Sequence, residues 1–316
     1  MSPKIIVGMM GSSPAKGSSS MATNDQVTDF LDTVKSHGVK ELDTARVYND
    51  GKSEELLGAT NAQNDFAIST KAPGFSPGSL TYDNILSNSR KSHEALKQDK
   101  VDIYYIHGPD NKTPLSDQCR AFGKLYEEGR FSRFGISNLS AAATQEIHDI
   151  CTREGYPAPT VYQGAYNPMH RSAEDALFPL LRKLNIAWYA WGPLAGGLLA
   201  KPIDDLLKPK EGTRYHEMPV FATMYLKEEN IPALKKMNET CEQAGMSMME
   251  ATMRWFMHHA PLTSEDGVIL GASSKEQVDA TLSVCEKGAL PEGVAKGWDE
   301  LWKHIVDNGT AMPAAF

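Results

Sequence analysis

The stretch VDIYYIHGPDNKTPLSDQCRAFGKLYEEGRFSRFGISN, residues 101–138, decides the architecture. It opens on a short apolar run of β-branched and aromatic residues, passes through the helical stretch LSDQCRAFGKLYEEGR, and closes on a second apolar run, RFGISN. Runs that are apolar on both sides fit strands covered by helices on one face and by barrel packing on the other. A helix between two such strands implies that they lie parallel, joined by a right-handed crossover.

The same unit recurs on both sides of this stretch. Upstream, KIIVGMMG is followed by a helical stretch at about 24–36 and then by KELDTA. A helix near 53–59 leads to DFAISTK, and a longer one near 80–96 leads to the run at 101. Downstream, AAATQEIHDICTREG precedes PTVYQGAYN, and AEDALFPLLRKLN precedes IAWYAWGPLAGG. The helical stretches IPALKKMNETCEQAG and SMMEATMRWFMHHA precede GVILGASS, an eighth strand. Eight such units close most naturally into a (β/α)8 TIM barrel. The alternative is an open, doubly wound sheet, but VGMMGSSPAKG does not supply the spaced glycines of a dinucleotide fingerprint between strand and helix.

No domain boundary interrupts the pattern, so residues 1–316 are expected to form one barrel domain. The segment 201–225, with its prolines, glycine and charges, is expected to be a long irregular loop over the C-terminal mouth. A further helix and a flexible tail are expected over about 291–316, with Trp298 and Trp302 on one helix face, packed against the rest of the molecule.

With 41% apolar and 23% charged residues the composition is that of a globular protein. Thirty-two Lys and Arg against 40 Asp and Glu give a formal charge of -8, a surface that repels rather than gathers a nucleic-acid backbone. The apolar run at the N-terminus is too short and too soon interrupted for a secretory signal, and no run has the length to span a bilayer. The four cysteines, Cys119, Cys151, Cys241 and Cys285, lie far apart without ligand spacing. A soluble cytoplasmic protein without a metal site is therefore expected.

Polar residues recur where the strands finish. Asp43 ends the second run, Lys71 the third and His107 the fourth, and Tyr48 follows Asp43 by five residues. Each alone has a bland structural reading as a turn cap, a solvated lysine or a packed ring. A barrel, however, brings strand ends together that are distant in sequence. Together they suit carbonyl reduction, in which hydride arriving at carbon leaves negative charge on oxygen and a proton must meet it. Tyr48 can donate that proton. Lys71 beside it would favour the phenolate, Asp43 would hold the ammonium, and His107 could orient the substrate oxygen.

A groove for a dinucleotide has candidates as well. Ser137 and Asn138 follow the fifth strand and Gln163 ends the sixth, all able to bond a carboxamide. Trp191 could stack on a nicotinamide, and the backbone near Leu194 and Gly196 could approach a pyrophosphate. GASSKEQ precedes a helix whose N-terminus can receive an anion.

With these residues in place, the chain resembles the aldo-keto reductase family, most closely the branch of the aflatoxin-aldehyde reductases. The likeness runs from IIVGMMG through LDTARVYNDGKSEELLG, ISTKAP, VDIYYIHGPD, FGISNLS, VYQGAYN, WYAWGPLAGGLL and RWFMHH to VILGASSKEQ. It implies a (β/α)8 barrel that reduces aldehydes or ketones with NADPH and without a metal, and it matches Asp43, Tyr48, Lys71 and His107 to the family's catalytic tetrad. Ser137, Asn138 and Gln163 resemble the nicotinamide-amide contacts. Trp191 stands where a stacking tyrosine is usual, and Leu194 and Gly196 match the pyrophosphate loop.

By the same resemblance, Ser273, Ser274 and Gln277 fall at the adenosine end. Gly271 and Gln277 replace a frequent lysine and arginine, and Thr281 a frequent asparagine, so Lys275 or Arg214 are the alternative grips on the 2'-phosphate. Val47 and Phe75, where methionine and tryptophan are common, imply altered apolar substrate contacts, and Arg46 or Arg214 could attract an acidic substrate. A homodimer is compatible with the resemblance. A second function also fits: a redox-sensing or regulatory subunit that binds nicotinamide nucleotide with little turnover. Alcohol oxidation at the same residues would be the reverse of the first.

Overall fold

The computed structural model describes residues 2–11, 21–211 and 214–315, without the Arg214 side chain. Among the described residues there are eight strands: β1 (Lys4–Gly8), β2 (Glu41–Asp43), β3 (Ala67–Ala72), β4 (Val101–Ile106), β5 (Phe131–Ser137), β6 (Pro159–Ala165), β7 (Ala187–Trp191) and β8 (Gly267–Gly271). All pair in parallel in sequence order, and β1 closes on β8 with Ile6 opposite Ile269. The expected closed barrel is the observed one.

Strand alternation divides the core into two layers. Along β4, Ile103 and Tyr105 point inward and pack with Ile6, Val161, Tyr189 and Ile269. Tyr104 and Ile106 point outward into the larger layer beneath the helices. Because both faces are covered, the strand is almost continuously apolar in sequence, as a parallel strand should be. Towards the strands' N-terminal ends the interior is polar: Arg133 Nη2 contacts Asp102 at 2.5 Å and Glu41 at 3.2 Å, and its Nη1 donates to Tyr189 at 3.2 Å.

Helices α1 (Asn24–Ser36), α2 (Lys52–Ala59), α3 (Tyr82–Leu96), α4 (Leu115–Glu127), α5 (Ala141–Glu154) and α6 (Ala173–Lys183) follow the first six strands. Side-chain caps set several starts. Thr81 accepts from the Asn84 amide, so α3 opens at Tyr82 rather than at residue 80, and Thr23 and Ser140 cap α1 and α5 in the same way.

The segment 201–225 departs from the irregular loop expected of it. It contains α7 (Ile203–Leu207), α8 (Arg214–Glu217) and α9 (Val220–Tyr225), followed by α10 (Ile231–Gln243) and α11 (Met248–His258) before β8. Pro202 and Pro219, which suggested irregular chain, stand immediately before α7 and α9, where a missing N–H costs nothing. Helices this short are held by tertiary burial rather than by propensity. Tyr215 is buried with its hydroxyl on the Ala195 carbonyl at 2.8 Å, and Phe221 and Tyr225 are buried too.

After β8 come α12 (Lys275–Cys285) and α13 (Glu292–Asp307). Trp298 is fully buried and Trp302 packs beside it, as their spacing suggests. The tail is docked rather than free: Ser172 Oγ donates to the Met312 carbonyl at 2.6 Å, and His170 Nε2 lies 3.1 Å from the Pro313 carbonyl. Those anchors lie in the β6–α6 loop, far away in sequence, and nothing local in the tail announces them.

Candidate active site

Asp43 is the last residue of β2, Lys71 the fifth of β3, and His107 follows β4 directly, its amide donating to the Ala72 carbonyl. The barrel brings these ends to one mouth. Tyr48 arrives from the loop after β2, in a tight turn that passes through left-handed backbone at Asn49 and Asp50 and ends at Gly51 with φ of 89°. Lys71 Nζ donates to Asp43 Oδ2 at 2.6 Å and to the Thr44 carbonyl at 2.7 Å. It also lies 5.1 Å from the Tyr48 ring centroid. The His107 imidazole meets the Tyr48 ring edge-on, 5.8 Å between centroids.

Lys71 is wholly buried. Burial alone would favour the neutral amine, but the Asp43 carboxylate and then Tyr48 outweigh it, and the ammonium is held above its ordinary pKa. His107 moves the other way: burial first, and the Lys71 charge second, lower its pKa to about 3. The site therefore holds a permanent cation against the phenol and a neutral imidazole at ordinary pH. A neutral imidazole donates from one ring nitrogen only, which suits orienting a carbonyl oxygen.

Gln163, read in the sequence as a carboxamide contact, donates from Nε2 to Asp43 Oδ1 at 2.9 Å and so braces the ion pair. Asn138, in the left-handed region at φ of 59°, joins three parts of the mouth. Its Nδ2 donates to the His107 carbonyl at 3.0 Å and to Ser137 Oγ at 2.9 Å, and its Oδ1 accepts from Trp191 Nε1 at 3.1 Å. The indole at the end of β7 is thereby fixed beside the loop of His107, and a flat ring next to hydroxyl and amide groups fits a nicotinamide.

Gly196, with φ of 67°, is also a packing glycine, since a Cβ there would lie 2.7 Å from the Phe221 ring. Leu194 precedes the turn Ala195–Ala200. Ser274 caps α12 by accepting from the Gln277 amide, and Gln277 Oε1 accepts from both the amide and the hydroxyl of Ser273. These three side chains thus build the start of α12. Lys275 Nζ is 3.6 Å from Asp29, an exposed pair that leaves it free to exchange partners. The Arg214 side chain lies outside the described residues.

Val47 and Phe75 are half exposed and apolar. Phe75 adopts φ of 66° and sets its ring 5.7 Å from His107, edge-on. Its amide donates to the Pro109 carbonyl at 2.9 Å. Arg46, which the sequence offered as an attractor of an acidic substrate, is paired elsewhere. It is turned inward, with Nη1 2.6 Å from Oε2 of the buried Glu54, because an apolar shell lowers the dielectric around that carboxylate and strengthens its hold on the cation.

Two contributors escaped the sequence reading. Tyr105 faces inward beneath Lys71, whose Nζ is 5.6 Å from its ring centroid, and burial followed by the Asp43 charge pushes its phenol well up. The alternation within VDIYYI would have found it. Asp110 accepts from the amides of Gly78, Leu80 and Lys112 at 2.8 to 2.9 Å and from the Thr113 hydroxyl at 2.8 Å. Burial opposes its ionisation, but the amides of Leu80 and Gly78 prevail and hold the carboxyl well below the usual range. It fastens the loop carrying Phe75 to the loop carrying His107.

Among the described residues, no group of three or more His, Cys, Asp or Glu is placed to hold a metal, and no helix is long and apolar enough to cross a membrane. The model of the Aldo/keto reductase family matches residues 4–303. Oxidoreductase sirO of Leptosphaeria maculans is 37% identical over 294 residues, covering 92% of this chain and 89% of that one. Aflatoxin B1 aldehyde reductase member 2 of Rattus norvegicus is 35% identical over 284 residues, 85% of this chain and 77% of that one. Aldo-keto reductase family 7 member A3 of Homo sapiens is 35% identical over 291 residues, 85% and 86% of the two chains.

Proposed function

We propose that this chain, which belongs to the aldo/keto reductase family, is an NADPH-dependent reductase of small neutral aldehydes and ketones. The observation that carries the proposal is the buried Asp43–Lys71 pair set directly against Tyr48 at a mouth shared with His107. A reduced nicotinamide, when bound, supplies the hydride. Ser137, Asn138 and Trp191 would hold its ring, Leu194 and Gly196 its pyrophosphate, and Ser273, Ser274 and Gln277 its adenosine end.

The chain's own residues do the rest. His107, neutral, donates to the substrate oxygen and turns the carbonyl towards the groove. Tyr48 gives its proton to that oxygen as charge develops, and the Lys71 ammonium stabilises the phenolate left behind. Asp43, braced by Gln163, keeps the ammonium in place at low cost in desolvation. Neutral substrates are favoured because Arg46 is committed to Glu54 and the flanking side chains are Val47 and Phe75. The aldehyde-reductase names of relatives support an aldehyde as the carbonyl compound.

The test is cofactor oxidation with a panel of neutral and carboxylated aldehydes, using NADPH and NADH in parallel. Tyr48→Phe should lower turnover by about 10²- to 10⁴-fold while cofactor binding persists. Unchanged turnover in that variant would remove the proposed acid. Tight binding with negligible turnover of the native chain across all carbonyl classes would indicate a nucleotide-sensing protein instead.

A further inference from the structure

Glu54, on α2, carries a carboxylate with no solvent exposure, on the helix side of the sheet and outside the mouth. A buried carboxylate persists only where donors and an opposite charge replace water. Here Oε1 accepts from the Thr70 hydroxyl at 2.6 Å, and Oε2 lies 2.6 Å from Arg46 Nη1. Thr70 immediately precedes Lys71, and Arg46 stands two residues before Tyr48. Successive side chains of a strand point to opposite faces, so Thr70 turns outward to Glu54 as Lys71 turns inward to Asp43.

Arg46 is anchored from further directions. Its Nη1 reaches the Lys91 carbonyl on α3 at 3.4 Å. Its guanidinium fills the space over Gly51, where any Cβ would come within 1.2 Å of Nη2. Gly51 ends the turn that carries Tyr48, and Ser53 fastens the next turn by donating to the Met9 carbonyl at 2.9 Å and bonding Thr44 Oγ1 at 2.8 Å.

We infer that the buried Arg46–Glu54 pair is a positioning device, which sets from behind the sheet how closely the Tyr48 phenol approaches the Lys71 ammonium. The inference rests on the reading of Tyr48 as the proton donor, but its test follows the phenol itself. The chain is labelled with 13Cζ-tyrosine, the Tyr48 resonance is identified by its loss in Tyr48→Phe, and its titration is followed by NMR in the native chain, Glu54→Gln and Arg46→Met. The amide oxygen that Glu54→Gln introduces can still accept from Thr70, so this variant deprives the guanidinium of its countercharge and little else.

Loosening the loop weakens the ammonium's hold on the phenolate. The Tyr48 midpoint should therefore rise by about one unit in either variant, with the exposed Tyr126 unmoved. The turnover number should fall about tenfold per folded molecule with the KM for cofactor unchanged. Should a single variant not fold, Arg46→Met with Glu54→Gln, which leaves neither charge unpaired, carries the same measurement. A Tyr48 midpoint in a folded variant that coincides with the native one overturns the inference. Absence of turnover in the native chain would strike the reductase reading and leave the titration intact.

Discussion

Lys71→Met keeps the length of the side chain and deletes its ammonium, in a place where the consequence can be worked out bond by bond. Lys71 has no solvent exposure and Asp43 only 4%. The substitution removes the donor to Asp43 at 2.6 Å and to the Thr44 carbonyl at 2.7 Å, and leaves the carboxylate with Gln163 at 2.9 Å. Removing one partner of a buried pair costs about 3–5 kcal/mol, because the other charge stays in low dielectric without compensation. With an unfolding entropy of about 2.1 cal/mol/K per residue, 316 residues amount to about 0.66 kcal/mol/K, so the melting temperature should fall by about 5–8 °C. Adding Asp43→Asn to Lys71→Met removes the stranded charge yet keeps an acceptor for Gln163, and should restore at least about 1 kcal/mol. Thermal unfolding followed by circular dichroism reads both changes. A fall below about 1.5 °C in the single variant, or a double variant less stable than the single one, would refute the reasoning.

Acid should destabilise the fold through two histidines. His107 and His170 have folded pKa values near 3 and 4, both lowered by burial, against 6.5 when unfolded. As pH falls below about 6.5 the unfolded chain takes up protons that the folded chain refuses, so each histidine subtracts about 1.4 kcal/mol per pH unit until its folded pKa is reached. His107→Asn and His170→Gln should each flatten the stability slope between about pH 6 and 5 by that amount in urea titrations, and an unaltered slope contradicts the assignment. Asp110→Ala frees the amides of Gly78 and Leu80 and with them the loop of Phe75. Its KM for an aromatic aldehyde should rise several-fold with the turnover number nearly kept, and steady-state kinetics with an unchanged KM would count against the clamp. Gly58→Ala should cost about 1–3 kcal/mol in a denaturant titration, since its Cβ would sit 2.0 Å from the Ala95 carbonyl oxygen between α2 and α3. Gly293→Ala, which meets nothing within 4 Å, should be neutral or stabilising by up to about 1 kcal/mol. Equal effects of the two would argue against close helix packing as the cause.

Much of the site could be read in the chain because its members stand at strand ends, and strand ends are marked by local changes from apolar to polar. Asp43, Lys71 and His107 are of this kind. The hydroxyl cap of Thr81, which the sequence reading passed over, starts α3 two residues later than expected. The segment 201–225 misled because proline and charge signal irregular chain when read alone, whereas here Pro202 and Pro219 begin α7 and α9, and Ile203, Leu206, Tyr215, Phe221 and Tyr225 are buried. The tail misled for a related reason, since its anchors, His170 and Ser172, belong to a different loop.

By itself the sequence determined a closed ring of parallel strands and the collection of an acid, a phenol, an amine and an imidazole at one end of it, for period and crossover are properties of neighbouring residues. Which partner each side chain takes was left to the tertiary structure. Arg46 turns away from the mouth to a wholly buried Glu54, Gln163 reaches Asp43 across 120 positions, and Asn138 ties Trp191 to the loop of His107. Such choices depend on the width of the barrel and on how loops shut out water, because a charge or amide chooses its partner only when burial has removed water as the competitor.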